Sequence, residues 1–377
     1  MSEKSASLIP VLIASSLKPA KDTRAWGKLG LSLRESGHFS LIFMGFSQIR
    51  LKNSEDEKFY RSLSNTNSRW GRISSQAIFL KTLLRTRPKI LICCTYEYLP
   101  IASFFKRILG YKLVYDVQEN YIKNLDLNPR LSPAKKRKIS RLIRGMEQMK
   151  GIDLFLLAEL CYTEEMPDKT PFLILENKYA GEIKSVSPFK FSLKEGYCFL
   201  ISGTLTPAFG TLEAIDWFKE ILNEFPKSIL KIIGHCTLPS FRISLQKACE
   251  NTPQIQLKAS SFPIPNELII TEYSEIDFAV LPYQNRNAIK DKMPTKLFES
   301  AALGVPVLIS RNPKWLDFLG TFSGGFPIDF FDPQHACQQF RAALHREYFT
   351  QSPDDSILWK SQHTDFVLAI KNLNPIK

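Results

Sequence analysis

The chain has 377 residues, of which 44% are hydrophobic and 23% are charged, a composition that is typical of globular proteins with two domains. This composition excludes a largely disordered chain. The 23 prolines, which follow no short repeat, exclude collagen-like and coiled-coil proteins. The net charge of +13 comes from the first half: residues 1–190 contain 32 Lys and Arg against 18 Asp and Glu, and residues 191–377 contain 18 against 19.

Hydropathy and cysteine usage indicate the compartment. No apolar run approaches the roughly eighteen residues that span a bilayer, since the stretch 90–105 is interrupted by Glu97 and Pro100. The apolar stretch 8–14 is short for a signal peptide and fits a first buried strand better. Seven cysteines without C-x-x-C metal spacing indicate reduced thiols and no structural zinc. We therefore expect a cytoplasmic protein.

Short apolar strands alternate with helices in the first half, as in a mostly parallel α/β sheet. The predicted strands are 10–15, 39–46, 89–94, 112–117, 153–159 and 172–177. The predicted helices are 22–37, 74–87, 98–109 and 132–150. The strands are short β-branched or apolar runs, as expected for strands that are covered on both faces.

The periodicity lapses at 184–195, which predicts a linker, and a second series follows. Its predicted strands are 197–202, 229–234, 255–259, 276–283 and 305–310. Its predicted helices are 211–225, 239–250, 294–303, 333–346 (with Asp332 as N-cap) and 355–372. We predict an α/β protein with two doubly wound, Rossmann-like domains, 1–188 and 189–350, which face each other across a cleft. A C-terminal helix in 351–377 is predicted to pack back toward the first domain.

The strongest local pattern lies at 288–310, where a polar loop leads into a helix that opens with Pro294. Backbone N–H groups at a helix start bind phosphate, and Lys292 and Lys296 add positive charge there. Glu299, one turn after Lys296, can accept hydrogen bonds from two ribose hydroxyls. Alternatively, Lys296 and Glu299 form an ordinary i,i+3 ion pair. The chemistry alone does not separate these two interpretations.

Further donor-site candidates end predicted strands of the second half. These are Gly203, Thr204, Gly234 and Tyr283. Because ligands of such sheets lie beyond the carboxyl ends of the strands, small residues there allow a nucleotide to approach the backbone. A plain strand-to-helix turn accounts for the glycines almost as well.

The run PTKLFESAALGVPVLIS (294–310) resembles the donor-binding segment of GT-B-fold retaining glycosyltransferases of the large family-4 type. Three other segments are similar to motifs of that family in the same order. DTRAWGKLGLSLRESGH (22–38) resembles its first helix, VYDVQENY (114–121) its V-Y-D-x-H-E-x-Y motif, and 201–218 with 230–235 the opening of its second domain. The resemblance implies sugar transfer from a nucleotide sugar with retention of configuration and without a protein nucleophile.

The sequence departs from that family at three positions. The family usually has a glutamate eight residues before the second one, where this chain has Asp291. Gln118 stands where the family has a histidine near the donor sugar. Glutamine can form hydrogen bonds but, unlike histidine, cannot take up or release a proton. The segment 207–209 (Pro-Ala-Phe) replaces a loop that often supplies a Lys or Arg to the pyrophosphate. The resemblance thus implies catalytic roles for Asp291, Glu299 and the Gln118 position, and a cation from Lys292 or Lys296.

Polar residues also follow the strands of the first half, where we expect the acceptor to bind. The acceptor-binding candidates are Ser16, Lys18, Asp22, Arg24, Tyr96 and Glu97. Glu119 follows the strand 112–117, and its carboxylate can orient or deprotonate an acceptor hydroxyl. Alternatively, Asp22 and Asp116 cap helices.

The stretch 130–150 has eight basic residues and one acid, Glu147. On a helix, an apolar stripe lies beside five basic candidates for membrane binding. The stripe is Ile139, Leu142, Ile143 and Met146, and the basic residues are Lys135, Lys136, Lys138, Arg141 and Arg144. Such a helix is typical of proteins that bind anionic membrane surfaces, although a solvated face fits nearly as well. Nucleic-acid binding ranks last, because no aromatic residues are interleaved for stacking.

The absent motifs argue against serine hydrolases, P-loop NTPases and ordinary dinucleotide-binding enzymes. The five histidines show no metal spacing, no D-x-D triplet ends a strand, and no G-x-S-x-G, P-loop or G-x-G-x-x-G pattern occurs. The resemblance to GT-B glycosyltransferases then implies a glycosyltransferase, which we expect to act in envelope or exopolysaccharide synthesis without a metal or other cofactor. It would use a nucleotide-sugar donor and a lipid-linked or saccharide acceptor, at an anionic membrane surface and without nucleic acid. The alternatives are a sugar-nucleotide epimerase or hydrolase of the same fold, and a catalytically silent relative.

Overall fold

The computed structural model describes residues 8–47, 51–54, 57–62, 69–128 and 131–373. The chain forms two compact units, one of Met1–Ala180 with Trp359–Lys377 and one of Gly181–Leu358. The second unit therefore starts eight residues before the predicted boundary at 189. The C-terminal segment from Trp359 belongs to the first unit. Arg130, the first residue of the predicted basic stretch, lies outside the described residues.

A seven-stranded parallel sheet forms the centre of the first unit. Its strands are β1 (Ile9–Pro19), β2 (Phe39–Phe46), β3 (Glu57–Ser62), β4 (Ile90–Cys93), β5 (Lys112–Val117), β6 (Leu154–Leu157) and β7 (Phe172–Ile174). The spatial order is β3-β2-β1-β4-β5-β6-β7. Strand β3 is not predicted from the sequence, because this edge strand carries charged residues and lacks the apolar run of a covered strand.

Helices cover both faces of this sheet. They are α1 (Leu31–Glu35), α2 (Arg69–Thr86), α3 (Leu99–Leu109), α4 (Tyr121–Asn124), α5 (Pro133–Glu147) and α6 (Tyr162–Glu165), with α13 (His363–Leu373) at the end of the chain. The predicted helix 22–37 begins instead with a π-helical turn, Ala25–Gly30, that leads into α1.

Alternate residues of each strand point to opposite faces, which divides the core in two. Val11 and Ile13 of β1 pack on the side covered by α1 and α13, whereas Leu12 and Ala14 pack on the side covered by α2 and α3. The C-terminal segment is anchored by Trp359, whose Nε1 donates to Ser32 Oγ at 2.9 Å.

The second unit repeats the same plan with a six-stranded parallel sheet. Its strands are β9 (Cys198–Thr204), β10 (Ile229–His235), β11 (Ile255–Ser260), β12 (Phe278–Leu281), β13 (Val307–Ile309) and β14 (Gly325–Pro327), while β8 (Phe189–Lys190) and β15 (Glu347–Tyr348) form a small antiparallel pair. The helices are α7 (Thr211–Ile221), α8 (Pro239–Cys249), α9 (Asn266–Glu272), α10 (Thr295–Leu303), α11 (Pro313–Gly320) and α12 (Ala336–Leu344).

The strand order β11-β10-β9-β12-β13-β14 matches the doubly wound order of the first sheet. In both sheets the chain reverses its direction of winding beside the first strand, between β1 and β4 and between β9 and β12. Ligands of doubly wound sheets bind at such switch points, beyond the carboxyl ends of the strands. The fold class predicted for each domain is therefore confirmed, and the two switch points are where functional residues are expected. Of the helices in the described ranges, none is long and apolar enough to cross a membrane.

Candidate functional site

The loops after β9 and β12 touch each other at the switch point of the second sheet. Gly210 lies at the start of α7 with φ +66°, and a Cβ atom there would lie 1.8 Å from the carbonyl oxygen of Pro282. The Phe209 ring stacks on Tyr283 with 4.4 Å between ring centroids and 20° between planes. Phe209 and Tyr283 therefore form one aromatic surface, called here the aromatic ledge. It includes the segment 207–209, which lacks the Lys or Arg that the resembling family often has.

The close approach at Gly210 gives a testable prediction. Gly210→Ala should lower the free energy of unfolding by at least about 2 kcal/mol, because the methyl group overlaps Pro282 and the backbone is left-handed. Denaturant unfolding of the variant measures this. Gly320→Ala is the matched control, since no atom lies within 4 Å of a Cβ at that glycine and its φ is ordinary. A Gly210→Ala variant as stable as the control would show that the two loops do not touch.

Glu299, Lys296 and Gly203 meet beside this ledge. Glu299 on α10 is 1% exposed, and its Oε2 accepts a hydrogen bond from Lys296 Nζ at 2.7 Å. Gly203, at the end of β9, has φ +106°, and a Cβ there would lie 3.3 Å from Lys296 Cε. The ion pair that the sequence analysis gave as the alternative is therefore present. It lies at the carboxyl end of the central strand, where a donor is expected.

Gly234 lies near the end of β10, the strand that pairs with β9. A Cβ at Gly234 would lie 2.2 Å from the carbonyl oxygen of Gly203 and 2.7 Å from Leu205 Cγ. Gly234 therefore leaves room for the turn that follows β9. Thr204, the last residue of β9, has an exposed side chain.

The electrostatics of the ledge keep Tyr283 neutral. Burial, and then the negative charge of Glu299, raise the pKa of the Tyr283 hydroxyl above its usual range. The Tyr283 ring also meets Trp315 edge-on, at 5.8 Å between centroids. Tyr283 is therefore a neutral, packed side chain beside Glu299.

The loop before α10 is held by α11, a helix that the sequence analysis missed. Three side chains at the start of α11 donate hydrogen bonds to backbone carbonyl oxygens of this loop. Asn312 Nδ2 donates to the carbonyl of Lys290 at 2.9 Å. Lys314 Nζ donates to that of Asp291 and Trp315 Nε1 to that of Lys292, both at 2.7 Å. The side chains of Asp291 and Lys292 are half-buried. Pro294 is the N-cap of α10 and Thr295 its first residue, so the prediction of Pro294 at the first helical position is off by one residue.

The signal for α11 is present in the sequence. Asn312 precedes Pro313, the same cap-then-proline pattern that predicts the helix after Asp332. Asn312 Oδ1 accepts a hydrogen bond from the backbone N–H of Trp315 at 3.2 Å. After Asp332, in contrast, a short 3-10 turn precedes α12, and the Asp332 side chain does not cap it.

In the first unit, the ends of β1 and β4 are joined by Ser16. Ser16 Oγ donates to Glu97 Oε2 at 2.7 Å and lies 3.0 Å from Thr95 Oγ1. Glu97 also pairs with the exposed Arg72, at 3.5 Å. Two acceptor-site candidates, Ser16 and Glu97, thus lie together at the switch point of the first sheet.

Arg24 and Asp116 form a buried ion pair. Arg24 Nε and Nη2 donate to Asp116 Oδ1 at 3.0 and 2.8 Å, and Nη1 donates to the Leu175 carbonyl at 2.8 Å. Their side chains are 3% and 0% exposed, which does not support the expected contact between Arg24 and an acceptor. Asp22 Oδ1 accepts from the backbone N–H groups of Arg24 and Ala25 at 3.0 and 2.9 Å, the capping role given as an alternative.

Gln118 and Glu119 lie beside this pair. Gln118 Nε2 donates to Asp116 Oδ2 at 2.8 Å. Glu119 is 41% exposed at its side chain, and its Oε1 lies 3.7 Å from Lys18 Nζ. Burial lowers the pKa of Lys18, but the charges of Glu119 and Asp22 outweigh it and the pKa is raised. Lys18 therefore stays charged beside an accessible carboxylate.

Tyr121 is a residue at this site that the sequence analysis did not single out. Its ring meets Tyr96 edge-on, at 4.8 Å between centroids. Its hydroxyl is buried, and within the described ranges no group hydrogen-bonds to it. Burial, and then the charge of Glu119, raise the pKa of this hydroxyl well above its usual range. A neutral phenol beside Glu119 can donate a hydrogen bond to a ligand oxygen.

The basic helix is α5, whose N-cap Ser132 accepts from the backbone N–H of Lys135. The five basic candidates divide into a paired and an outward group. Lys136 pairs with Asp126 at 3.1 Å, and Lys135, Lys138, Arg141 and Arg144 are exposed. The predicted apolar stripe is split, because Ile143 is buried in the unit whereas Leu142 is 58% exposed.

Comparisons with known proteins give the fold. No protein-family model matches the sequence, and no curated protein matches it. Among solved structures, sucrose-phosphate synthase from Thermosynechococcus elongatus is similar with a TM-score of 0.66 and 10% identity over 97% of this chain and 99% of that one. WaaG, a glycosyltransferase involved in lipopolysaccharide biosynthesis, gives a TM-score of 0.62 and 13% identity over 98% and 100% of the chains. MnaA from S. aureus, solved with UDP, gives 0.57 and 11% over 98% and 99%. The chain thus has the two-domain GT-B fold over nearly its whole length.

Proposed function

We propose that this protein is a glycosyltransferase that transfers a sugar from a nucleotide sugar to an acceptor hydroxyl with retention of configuration. The observation that carries the proposal is the meeting of Gly203, Lys296 and Glu299 at the switch point of the second sheet. The sequence similarity to donor-binding segments falls on the same helix. The GT-B fold shared with WaaG and sucrose-phosphate synthase supports the same reaction class.

Donor binding would exchange one ion pair for another. In the structure Lys296 neutralises Glu299 at 2.7 Å. A pyrophosphate near Gly203 carries more negative charge than one carboxylate, so it would attract Lys296 away from Glu299. The freed carboxylate oxygens of Glu299 would then accept hydrogen bonds from the two ribose hydroxyls. Lys292, on the loop before α10, would supply a second cation.

The aromatic ledge of Phe209 and Tyr283 would contact the donor through apolar and stacking interactions. It takes the place of the basic residue that the resemblance implies for this loop. We propose that the reaction needs no metal ion, because the positive charge at the pyrophosphate comes from Lys292 and Lys296 together with the start of α10. Addition of EDTA should then leave turnover unchanged.

In the first unit, the acceptor would bind at the ends of β1, β4 and β5. Glu119 and Lys18 present accessible charged groups there, and Tyr96 and Tyr121 form a ring surface beside them. Glu119 would orient the acceptor hydroxyl, while the leaving phosphate takes its proton, so no protein nucleophile is required. Asp291 and Gln118 keep the catalytic roles that the resemblance implies. We propose a lipid-linked or saccharide acceptor in cell-envelope or exopolysaccharide synthesis.

A sugar-nucleotide epimerase or hydrolase remains the second candidate. MnaA, one of the solved structures with this fold, was determined with UDP. An epimerase needs acid and base groups on both sides of the sugar, and the first unit contributes carboxylates and tyrosines at this edge but no histidine at the Gln118 position.

Product analysis separates these reactions. The protein is incubated with a panel of nucleotide sugars, with and without lipid-linked and saccharide acceptors, and the products are resolved by chromatography and NMR. The expected products are free nucleoside diphosphate and a glycosylated acceptor. The sugar in the glycosylated acceptor should have the same anomeric configuration as in the donor. An epimerised nucleotide sugar or free sugar formed without acceptor would support the second candidate, and inversion would exclude retention.

A further inference from the structure

Helices α3 and α5 lie side by side on one face of the first sheet. Ser103 Oγ of α3 donates to the carbonyl of Lys150, which joins α3 to the turn after α5. Leu99 and Ala102 of α3 pack into the same half of the core as Tyr115, and Tyr115 in turn donates to Glu147 of α5 at 2.7 Å. Because both helices cover the same face, their outward sides form one continuous surface.

Apolar side chains stand out from this surface. Phe104 and Ile108, one turn apart on α3, are each 63% exposed. Leu142 of α5 is 58% exposed and Met149, in the turn that follows α5, is 36% exposed. Single exposed apolar residues are ordinary in a globular protein. Three on two adjacent helices, with a fourth in the turn after α5, form a patch of the kind that marks a binding surface.

The two helices themselves carry mostly positive charge. Helices α3 and α5 together contain eight Lys and Arg and one acidic residue, Glu147. Glu147 is 6% exposed and points inward, where it binds Tyr115 and lies 3.5 Å from Lys169 Nζ. The outward side is therefore basic, with Lys138 and Arg141 within one turn of Leu142.

We propose that this surface, formed by Phe104, Ile108, Leu142, Met149, Lys138 and Arg141, binds the anionic face of a lipid bilayer. The basic side chains contact the headgroups, and the apolar side chains enter the boundary between headgroups and acyl chains. Aliphatic side chains predominate among the exposed apolar residues, which favours a bilayer over the stacked bases of a nucleic acid. The inference does not depend on the donor site. If the proposed function is right, it places a lipid-linked acceptor at the membrane to which the first unit binds.

Binding to vesicles tests the proposal with the full chain. Vesicles of phosphatidylcholine, with and without about one-third phosphatidylglycerol, are floated through a density gradient with the protein. The wild type should float with the anionic vesicles and not with the neutral ones. Phe104→Ser/Ile108→Ser and Lys138→Glu/Arg141→Glu should each weaken partitioning by about thirtyfold. These positions are exposed, so the variants should keep the wild-type melting temperature.

Matched control variants remove equivalent groups at positions away from the patch. Ile243→Ser/Leu268→Ser replaces two exposed apolar residues, and Lys247→Glu/Lys360→Glu makes the same change in net charge at exposed positions outside the patch. Both should float like the wild type. The proposal is overturned if the wild type ignores anionic vesicles, or if the controls lose binding as much as the patch variants. It is also overturned if duplex DNA or heparin binds as tightly as the vesicles and the Phe104→Ser/Ile108→Ser variant binds all of them normally.

Discussion

Replacing Glu299 with alanine should weaken nucleoside diphosphate binding by about a hundredfold and abolish measurable sugar transfer. The carboxylate would bind two ribose hydroxyls in a buried site, and hydrogen bonds to a charged group contribute about 1.5–3 kcal/mol each. Glu299→Gln keeps one oxygen and the shape of the side chain but loses the charge, so its affinity should fall by about tenfold. Isothermal titration with the diphosphate of the preferred donor measures both variants.

Lys296→Met distinguishes ribose binding from a purely structural ion pair. It breaks the same 2.7 Å contact from the other side. If Glu299 binds the ribose and Lys296 the pyrophosphate, Lys296→Met should weaken the nucleoside diphosphate but not the free nucleoside, whereas Glu299→Ala should weaken both. Glu272→Gln, which breaks the Lys231–Glu272 pair of the same unit, is the control and should bind normally. Equal losses in the Lys296 and Glu299 variants, for both ligands, would indicate that the pair only supports the fold.

Asp116→Asn should lower the free energy of unfolding by about 3–5 kcal/mol. Asp116 is fully buried and accepts hydrogen bonds from Arg24 and Gln118, so its neutralisation leaves a buried guanidinium without a counter-charge. The double variant Arg24→Met/Asp116→Leu removes both charges and should recover most of this loss. Chemical denaturation of the single and double variants gives the coupling between the two residues.

An exposed pair provides the contrast. Asp216 and Lys219 lie 3.9 Å apart with side chains 64% and 38% exposed, and Asp216→Asn should cost less than about 1 kcal/mol. The double variant also tests the sequence-based assignment of Arg24 to the acceptor. A folded Arg24→Met/Asp116→Leu protein that still transfers sugar would show that Arg24 supports the fold, whereas a stable protein with a strongly raised acceptor KM would restore the assignment.

The sequence predicts the strands of the two sheets where they are covered on both faces. Segments such as 39–46 and 112–117 are mostly apolar, and the structure has strands at Phe39–Phe46 and Lys112–Val117. It does not predict β3, an edge strand with charged residues, or β14, which is short and contains glycine and proline. Edge strands need only one covered face and one partner, so their residues carry a weaker signal.

The candidate site is predicted less completely, because pairing partners lie far apart in the sequence. Arg24 follows a predicted strand and resembles an exposed cleft residue, yet its partner Asp116 is 92 positions away. Lys296 and Glu299 are close in sequence, and their ion pair follows from helical spacing. Ser16, Glu97 and Gly203 are candidates from the rule for strand ends, and the topology places them at the two switch points. Lys296 is a candidate from the helix start instead.

Thermal unfolding in the presence of nucleotide sugars and free nucleoside diphosphates tests the central claim most directly. A ligand at about 100 times its dissociation constant should stabilise the folded protein by about 2.7 kcal/mol, and one donor family should do so in the wild type but not in Glu299→Ala. That result would identify the nucleotide and direct the search for the acceptor. If no nucleotide stabilises the wild type at millimolar concentration, the second unit does not bind a sugar-nucleotide donor, and the chain is a catalytically silent protein of this fold.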